Sequence, residues 1–168
     1  MVVEKKKVCV TGAAGQTGRH ILKSLTKYQD TVDICAAIHS ADQQAQTETV
    51  KSICKDACTC PVDADDLDGL VKAFEGVSDL FIVPTATESK VRHAFNYIRA
   101  AKRAKVPFVA VLSMSGCERR DYLWADQFWS IEEELKRSVE SGHHFNWCIL
   151  RSSFYLQNLL LYAQQYAE

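Results

Sequence analysis

The stretch Val10-Thr11-Gly12-Ala13-Ala14-Gly15-Gln16-Thr17-Gly18 decides the fold of this chain. It follows the short apolar run 8–10, which predicts a buried strand, and it opens a segment whose apolar residues recur at helical spacing. The first glycine permits a tight turn, the second leaves room for a pyrophosphate beside the backbone, and the third lets the helix pack closely on the sheet. The stretch therefore predicts a strand–turn–helix unit that binds a dinucleotide.

Strand-like and helix-like segments alternate along the rest of the chain. Short apolar runs at 8–10, 32–38, 57–62, 79–83, 108–112 and 147–150 predict six strands, and segments with apolar residues at helical spacing separate them. Alternation with short connections predicts an α/β fold of the Rossmann type. We expect a doubly wound parallel sheet with strand order 3-2-1-4-5-6 and helices on both faces.

Local patterns also predict how several helices begin and pack. Asp65 is expected to cap the helix that follows the third strand, and the segment Thr85-Ala86-Thr87-Glu88 fits a capping box before the next helix. Trp124 and Phe128 stand at helical spacing with later apolar residues. They are expected to lie in the core.

Composition and charge exclude several classes of protein. The chain has 168 residues and a formal net charge of −1, which argues against nucleic-acid binding through a broad basic surface. No signal peptide opens it and no run approaches a membrane span. The seven cysteines are an odd number and predict free thiols in the cytoplasm, with the nucleus as an alternative. Cys54, Cys58 and Cys60 cluster without an apparent fourth ligand, so no metal site is predicted.

The glycine spacing Thr-Gly-x-x-Gly-x-x-Gly resembles the extended and atypical branches of the short-chain dehydrogenase superfamily. Leu112-Ser113 after the fifth strand and Leu150-Arg151-Ser152-Ser153-Phe154-Tyr155-Leu156-Gln157-Asn158 after the sixth resemble the NmrA-like family. Asp63 matches that family's Gly-Asp position, although Val62 replaces the glycine. The resemblance covers essentially the whole chain and implies an NAD(P)-binding protein.

The resemblance and the glycine turn together indicate where the cofactor would bind. The tip of the second strand carries His39 and Ser40 and no carboxylate, which leans towards NADP over NAD, although the family often has arginine there. By resemblance, Asp63 would contact the adenine, and Pro84 and Thr85 would pass beneath the ribose. The predicted cofactor-binding residues are Gly12, Ala14, Gly15, Gln16, Thr17, Gly18, His39, Ser40, Asp63, Pro84 and Thr85.

The residues expected for catalysis are mostly missing. Reduction in the superfamily uses a serine with a tyrosine and a lysine four residues apart. Tyr122 is followed at that spacing by Asp126, no Tyr-x-x-x-Lys occurs, and Ser130 and Ile131 stand where many atypical members keep a lone lysine. Ser113 is the one candidate catalytic residue, and a strand-end hydroxyl bonded to the backbone is the equal alternative. Whether the chain is an enzyme stays open.

The resemblance also implies two lobes. Residues 1–152 are expected to form the NAD(P)-binding domain, and 153–168 the start of a truncated or absent C-terminal substrate lobe. The apolar tail from Phe154 to Ala167 predicts contact with a protein partner or a second copy of the chain.

Three functions fit these observations. The first is a redox or nucleotide sensor that acts through protein partners, because the glycine turn is intact while the Tyr-Lys pair is missing. The alternative is an NADPH-dependent reductase of quinones or related small carbonyl compounds. The third is a scaffold that binds no cofactor.

Overall fold

The apolar runs form six parallel strands, and the segments between them form five helices, in a computed structural model that describes residues 5–140, 145–153 and 155. The strands are β1 (Lys6–Val10), β2 (Val32–His39), β3 (Cys58–Val62), β4 (Asp79–Ile82), β5 (Phe108–Met114) and β6 (Asn146–Ser152). The helices are α1 (Gln16–Leu25), α2 (Gln43–Ile53), α3 (Leu67–Phe74), α4 (Lys90–Arg103) and α5 (Leu123–Glu140).

The sheet has the predicted topology. Its strand order is β3-β2-β1-β4-β5-β6, and all five neighbouring pairs are parallel. The chain therefore reverses its direction of winding between β1 and β4, where a crevice opens at the carboxyl ends of the strands. The predicted α/β fold of the Rossmann type is confirmed.

Alternate residues of the strands face two separate cores. Val10, Ile34 and Ile38 pack with Leu22 of α1 and Val50 of α2 on one face of the sheet. The opposite face carries the larger core, formed by these strands together with α3, α4 and α5. Helices thus cover both faces, which explains why most of the buried strand residues on either side of the sheet are apolar.

Two predicted helix caps are wrong. Asp66, not Asp65, caps α3, since its carboxylate accepts a hydrogen bond of 3.0 Å from the Gly69 amide. Asp65 instead pairs with Arg92 of α4. The predicted capping box at Thr85 does not form, because α4 begins only at Lys90, after Ser89. The segment that precedes α4 is a loop along the carboxyl edge of the sheet.

The predicted core positions of Trp124 and Phe128 are also wrong. Trp124 is 53% exposed, and Phe128 is half-buried. The reason lies in α4, where the ammonium group of Lys90 is 4.2 Å from the centroid of the Trp124 ring and 4.6 Å from that of Phe128. The two rings cover a charged group and therefore cannot pack into an apolar core.

Two further expectations concern the ends of the chain and the membrane. The predicted apolar tail from Phe154 to Ala167 lies outside the described residues, apart from Tyr155. Within the part of the chain that the structure describes, no helix has the length and apolar character needed to cross a bilayer.

Candidate dinucleotide-binding groove

The glycine turn joins the two strands that flank the crevice. Thr11 is fully buried at the end of β1, where its amide donates to the Phe81 carbonyl at 2.9 Å. Its hydroxyl accepts a hydrogen bond of 3.0 Å from the Val83 amide, just beyond β4. Gly12 follows with φ of +59°, a conformation that residues with a side chain rarely adopt. The chain therefore turns out of the sheet directly above the β1–β4 boundary.

The backbone of the glycine turn lies so close to position 18 that only glycine fits there. A Cβ at this position would lie 2.2 Å from the Gly12 carbonyl oxygen and 2.6 Å from the Ala13 Cα. Both are backbone atoms and cannot rotate away. The missing side chain therefore lets α1 pack directly against the turn, as the spacing predicts.

The N-terminus of α1 is left open to an anion. Gly15 occupies the N-cap position in an extended conformation, without a side-chain cap, and the first turn of α1 contains no acidic residue. The first-turn N–H groups and the positive end of the helix dipole therefore carry no negative partner from the helix itself. This is the arrangement in which helix N-termini bind phosphate groups.

A cavity of about 580 Å³ runs along the carboxyl edge of the sheet from β2 to β4. Most of the predicted binding residues line it, and they come from three separate segments: the glycine turn with the start of α1, the end of β2, and the loop after β4. The predicted residues that line the groove are Gly12, Ala14, Gly15, Gln16, Thr17, His39, Pro84 and Thr85.

Three predicted binding residues do not line the groove. Gly18 is buried beneath the first turn of α1, where it serves packing. Ser40 starts a short 3₁₀ turn after β2. Asp63 uses its carboxylate to accept a hydrogen bond of 2.9 Å from the Asp65 amide, so that it shapes the loop before α3. Their roles in binding stay predictions.

Several lining residues are absent from the sequence prediction. Asp42, the N-cap residue of α2, and Gln46 and Thr49 within α2 line the end of the groove near β2, and their spacing places them on one side of the helix. That helical spacing was the available signal. Tyr97 reaches the groove from α4, and burial, with smaller effects of Cys9, Asp63 and Asp65, raises its pKa to about 12. Tyr97 therefore remains a neutral phenol at physiological pH.

The β2 end of the groove has little positive charge. His39 accepts a hydrogen bond of 3.1 Å at Nδ1 from the Ala41 amide, which leaves Nε2 as the donor of the ring. The His39 amide donates to Gln46 Oε1 at 3.0 Å. The lining residues of the described groove include Asp42 but no lysine or arginine. A ribose 2′-hydroxyl would find both donors and acceptors there.

Ser113 does not line the groove, and its hydroxyl is already hydrogen-bonded within the protein. Its hydroxyl donates to Glu132 Oε1 at 2.6 Å, and the serine is almost fully buried. Glu132 also accepts from Arg151 Nε at 2.9 Å and from Arg151 Nη2 at 2.7 Å. The Cys117 thiol contributes a further contact of 3.2 Å to the same carboxylate. This network ties β5, β6 and α5 together at the carboxyl edge of the sheet.

The cysteines do not form a metal site in the described residues, where no three His, Cys, Asp or Glu side chains are arranged to hold an ion. Cys9, Cys35 and Cys58 instead occupy one row across β1, β2 and β3. Cys35 and Cys9 are buried, whereas Cys58 is exposed. All three are free thiols in the structure.

Cys58 is expected to react slowly with alkylating reagents despite its exposure. Desolvation by its surroundings, followed by its interaction with Cys35, raises the pKa of Cys58 to about 11. Because the thiolate is the nucleophile, we expect its modification by iodoacetamide to keep accelerating up to about pH 11. Free cysteine, with a pKa of about 8.5, should level off near pH 10. Peptide mass spectrometry would measure the rate, and a plateau of Cys58 below pH 10 would contradict the prediction.

Comparison with known proteins adds a family and a set of relatives. The sequence profile of the NmrA-like family matches residues 4–167. Quinone oxidoreductase 2 of Escherichia coli (strain K12) is 27% identical over 157 residues, which cover 93% of this chain and 51% of that protein. The chain thus spans about half the length of this relative.

Solved structures share the same fold. The NADPH-dependent quinone oxidoreductase QOR2 of Escherichia coli, complexed with NADPH, matches with a TM-score of 0.79 and 26% identity, over 94% of this chain and 53% of that one. A triphenylmethane reductase of Citrobacter sp., complexed with NADP(H), matches with a TM-score of 0.76 and 22% identity, over 90% of this chain and 51% of that one. The second likeness supports the fold alone.

Proposed function

The chain belongs to the NmrA-like family. On that basis we propose that it binds NADP(H) and that the protein reduces quinones. The observation that carries the proposal is the groove between the glycine turn, the end of β2 and the loop after β4. Relatives that cover nearly the whole chain include a quinone oxidoreductase and a structure with NADPH. This support goes to the reductase hypothesis and not to the sensor hypothesis.

The residues of the groove fit a dinucleotide. The turn from Gly12 to Thr17 would hold the pyrophosphate, because all of its residues except Ala13 line the groove and no side chain caps the N-terminus of α1. Pro84 and Thr85 would lie against a ribose, and His39 with Gln46 would surround the adenosine end. NADPH, when bound, supplies a hydride to the substrate.

Support for NADP(H) over NAD(H) comes more from the NADPH-bound relative than from the charges of the groove. A 2′-phosphate at the β2 end would meet the Nε2 donor of His39 and the carboxylate of Asp42. The first favours an anion and the second opposes it. The choice between the two dinucleotides is therefore made by a small difference between opposing contacts.

Calorimetric titration with NADPH, NADH, NADP⁺ and NAD⁺, followed by an assay of NADPH oxidation with a set of quinones, tests the proposal. We expect NADPH to bind and to be oxidised when menadione or 1,4-benzoquinone is added. Failure to bind any of the four dinucleotides would overturn the proposal. Tight binding without turnover would instead favour a sensor, which the missing Tyr-x-x-x-Lys pair motivates.

Replacement of Gln16 by glutamate should separate stability from binding. Gln16 is the exposed first residue of α1 and lines the groove. A carboxylate there should stabilise the ligand-free chain by about 0.5 kcal/mol through the helix dipole. It should weaken NADPH binding roughly tenfold by repelling the pyrophosphate. Thermal unfolding and calorimetry measure the two effects.

Gln43 offers the matched control. It is the first residue of α2, whose first turn also lacks acidic residues, and it does not line the groove. Because the N-cap residue of α2, Asp42, is already acidic, Gln43→Glu should stabilise the chain less than Gln16→Glu does, and it should have a smaller effect on dinucleotide affinity. Equal losses of affinity in both variants would argue against phosphate binding at α1.

A further inference from the structure

A lysine is buried at the start of α4. Lys90 is the first residue of the helix and only 3% of its surface is exposed. Burial of a charged group is unfavourable, and the positive end of the helix dipole adds to the penalty at this position. Such an arrangement is destabilising on its own and points to a use for the charge.

Carboxylates neutralise the arginines of α4 but not Lys90. Arg92 pairs with Asp65, Arg99 with Glu134 and Arg103 with Asp68. Nothing acidic lies within 4.0 Å of the Lys90 ammonium group among the described side chains of residues 5–139, 145–153 and 155.

Two aromatic rings hold the ammonium group in place. It lies 4.2 Å from the centroid of Trp124 and 4.6 Å from that of Phe128, distances at which a cation is attracted to the ring face. Desolvation by this setting lowers the pKa of Lys90 from its ordinary value. The rings therefore fix the position of the charge without cancelling it.

The ammonium group of Lys90 is not completely sealed off from solvent. In the described parts of the chain, every side-chain nitrogen or oxygen that is fully shielded from solvent has a hydrogen-bond partner. In those parts the Lys90 ammonium has cation–π contacts and no hydrogen-bond partner, so its nitrogen is among the atoms that keep some contact with solvent. Trp124, one of the two rings in contact with it, is 53% exposed.

Lys90 follows the loop that lines one end of the groove. Ala86, on the loop that leads into α4, lines the groove, and the Lys90 amide donates to the Thr87 carbonyl at 3.1 Å. Helix α4 follows β4 and α5 follows β5, so both helices begin at the carboxyl edge of the sheet. A dinucleotide that spans the β1–β4 crevice directs one of its halves towards this side.

We propose that Lys90, held by Trp124 and Phe128, is the positive charge of the substrate site and binds the oxygen of a planar aromatic or quinoid carbonyl compound. The proposal rests on the proposed function for its reaction. The ring of the ligand would lie against the exposed surface of Trp124, and its oxygen would face the ammonium group. The chain has no Tyr-x-x-x-Lys pair. Lys90 would supply the positive charge that the lysine of such a pair provides.

The role of the charge follows from the balance of the reaction. Transfer of a hydride from NADPH to a quinone oxidises the dinucleotide to NADP⁺ and gives the hydroquinone monoanion. One proton from water then completes the hydroquinone, so that the quinone gains two electrons and two hydrogens. The ammonium group stabilises the oxygen that becomes negative and retains its own proton throughout.

Lys90→Met tests this role. Methionine keeps the length and apolar stem of lysine and packs well against aromatic rings, so we expect the variant to fold with an unchanged or higher melting temperature. We expect its kcat for menadione to fall by about 100-fold, as on loss of one group that stabilises an oxyanion. The affinity for NADPH should be unchanged. Lys90→Arg, which keeps the charge, should lose less activity, and Lys72→Met at an exposed position of α3 should lose none.

Binding of 1-naphthoate, an aromatic anion that cannot be reduced, tests the site apart from turnover. We expect it to alter tryptophan fluorescence in the wild type, to bind at least about tenfold more weakly to Lys90→Met, and to give no such signal in Trp124→Phe. If the wild type binds naphthoate but reduces no quinone, the proposed function fails and the Lys90 site stands. Wild-type kcat in Lys90→Met, or naphthoate affinity that is equal in the two proteins, would overturn the site.

Discussion

Gly18→Ala is expected to destabilise the chain by about 3 kcal/mol or more and to abolish dinucleotide binding. In a helix, alanine normally stabilises by about 1 kcal/mol relative to glycine. Here the added Cβ would lie 2.2 Å from the Gly12 carbonyl oxygen and 2.8 Å from that of Ala13. Relief requires α1 to move away from the turn, which displaces the N–H groups proposed to hold the pyrophosphate. Chemical denaturation and NADPH calorimetry would measure the two losses.

Gly69→Ala is the matched control because Gly69, like Gly18, is the third residue of its helix. Its Cβ would approach Asp66 Oδ2 at 2.4 Å, but that atom ends a side chain that can rotate. The loss of the Asp66 cap, about 1 kcal/mol, should offset the gain in helix propensity. A stability change within about 1 kcal/mol is expected, with NADPH affinity unchanged. If Gly18→Ala behaved in the same way, close packing of α1 would not be what position 18 requires.

Glu132→Ala is expected to lower the free energy of unfolding by about 3 kcal/mol at pH 7. The carboxylate is fully buried and accepts hydrogen bonds from Arg151 and Ser113. Its removal leaves the Ser113 hydroxyl buried without its acceptor and leaves a cavity between α5 and the sheet. The Arg151 side chain is 38% exposed and can turn to water, which places the effect at the lower end of the range for buried pairs.

The effect of Glu132→Ala should shrink in acid. Burial alone would raise the pKa of Glu132, but hydrogen bonds from Arg151, Ser113 and Cys117 outweigh it and hold the pKa below its ordinary value. A carboxyl group with a lowered folded pKa contributes stability above its unfolded pKa of about 4.3. That contribution is lost as the pH falls through the folded pKa. Urea unfolding at several pH values from 7 downwards should therefore show the variant and the wild type converging.

Glu134→Ala provides the comparison on the same helix. Glu134 is partly buried, and its partners Arg99 and Arg137 are both more than half exposed. Because exposed ion pairs contribute about 0.2–1 kcal/mol, the variant should change stability by less than about 1 kcal/mol. Equal losses at positions 132 and 134 would show that the buried network has no special stabilising role.

The sequence predicts the features of this chain that depend on neighbours close in sequence. The glycine spacing implies the turn and the packing of Gly18, and the alternating segments imply the sheet order. The ends of helices are less predictable, since Asp65 and Asp66 are equally good caps by residue type and only the Gly69 amide selects Asp66. Residue preferences at helix ends identify both aspartates as candidate caps but do not predict which one forms the hydrogen bond.

Contacts between distant segments account for the residues that sequence reasoning missed. Asp42 and Gln46 reach the groove because α2 packs beside β2. No local pattern distinguishes Lys90 from the other lysines, and its burial depends on where Trp124 and Phe128 lie. The Ser113 hydroxyl could donate a hydrogen bond to a ligand, but it already donates to Glu132. In each case the partner comes from another helix or strand. The sequence pattern of one segment does not predict where that helix or strand will lie.

The double link through Thr11 has a consequence for the thermodynamics of binding. Its amide and its hydroxyl join the end of β1 to Phe81 and Val83, so both walls of the crevice are fixed to each other before any ligand arrives. The conformational entropy of these walls is lost when the chain folds and not when it binds. A dinucleotide therefore meets a preorganised receptor, and the ordering that accompanies binding should be confined to the ligand and to the side chains that close over it.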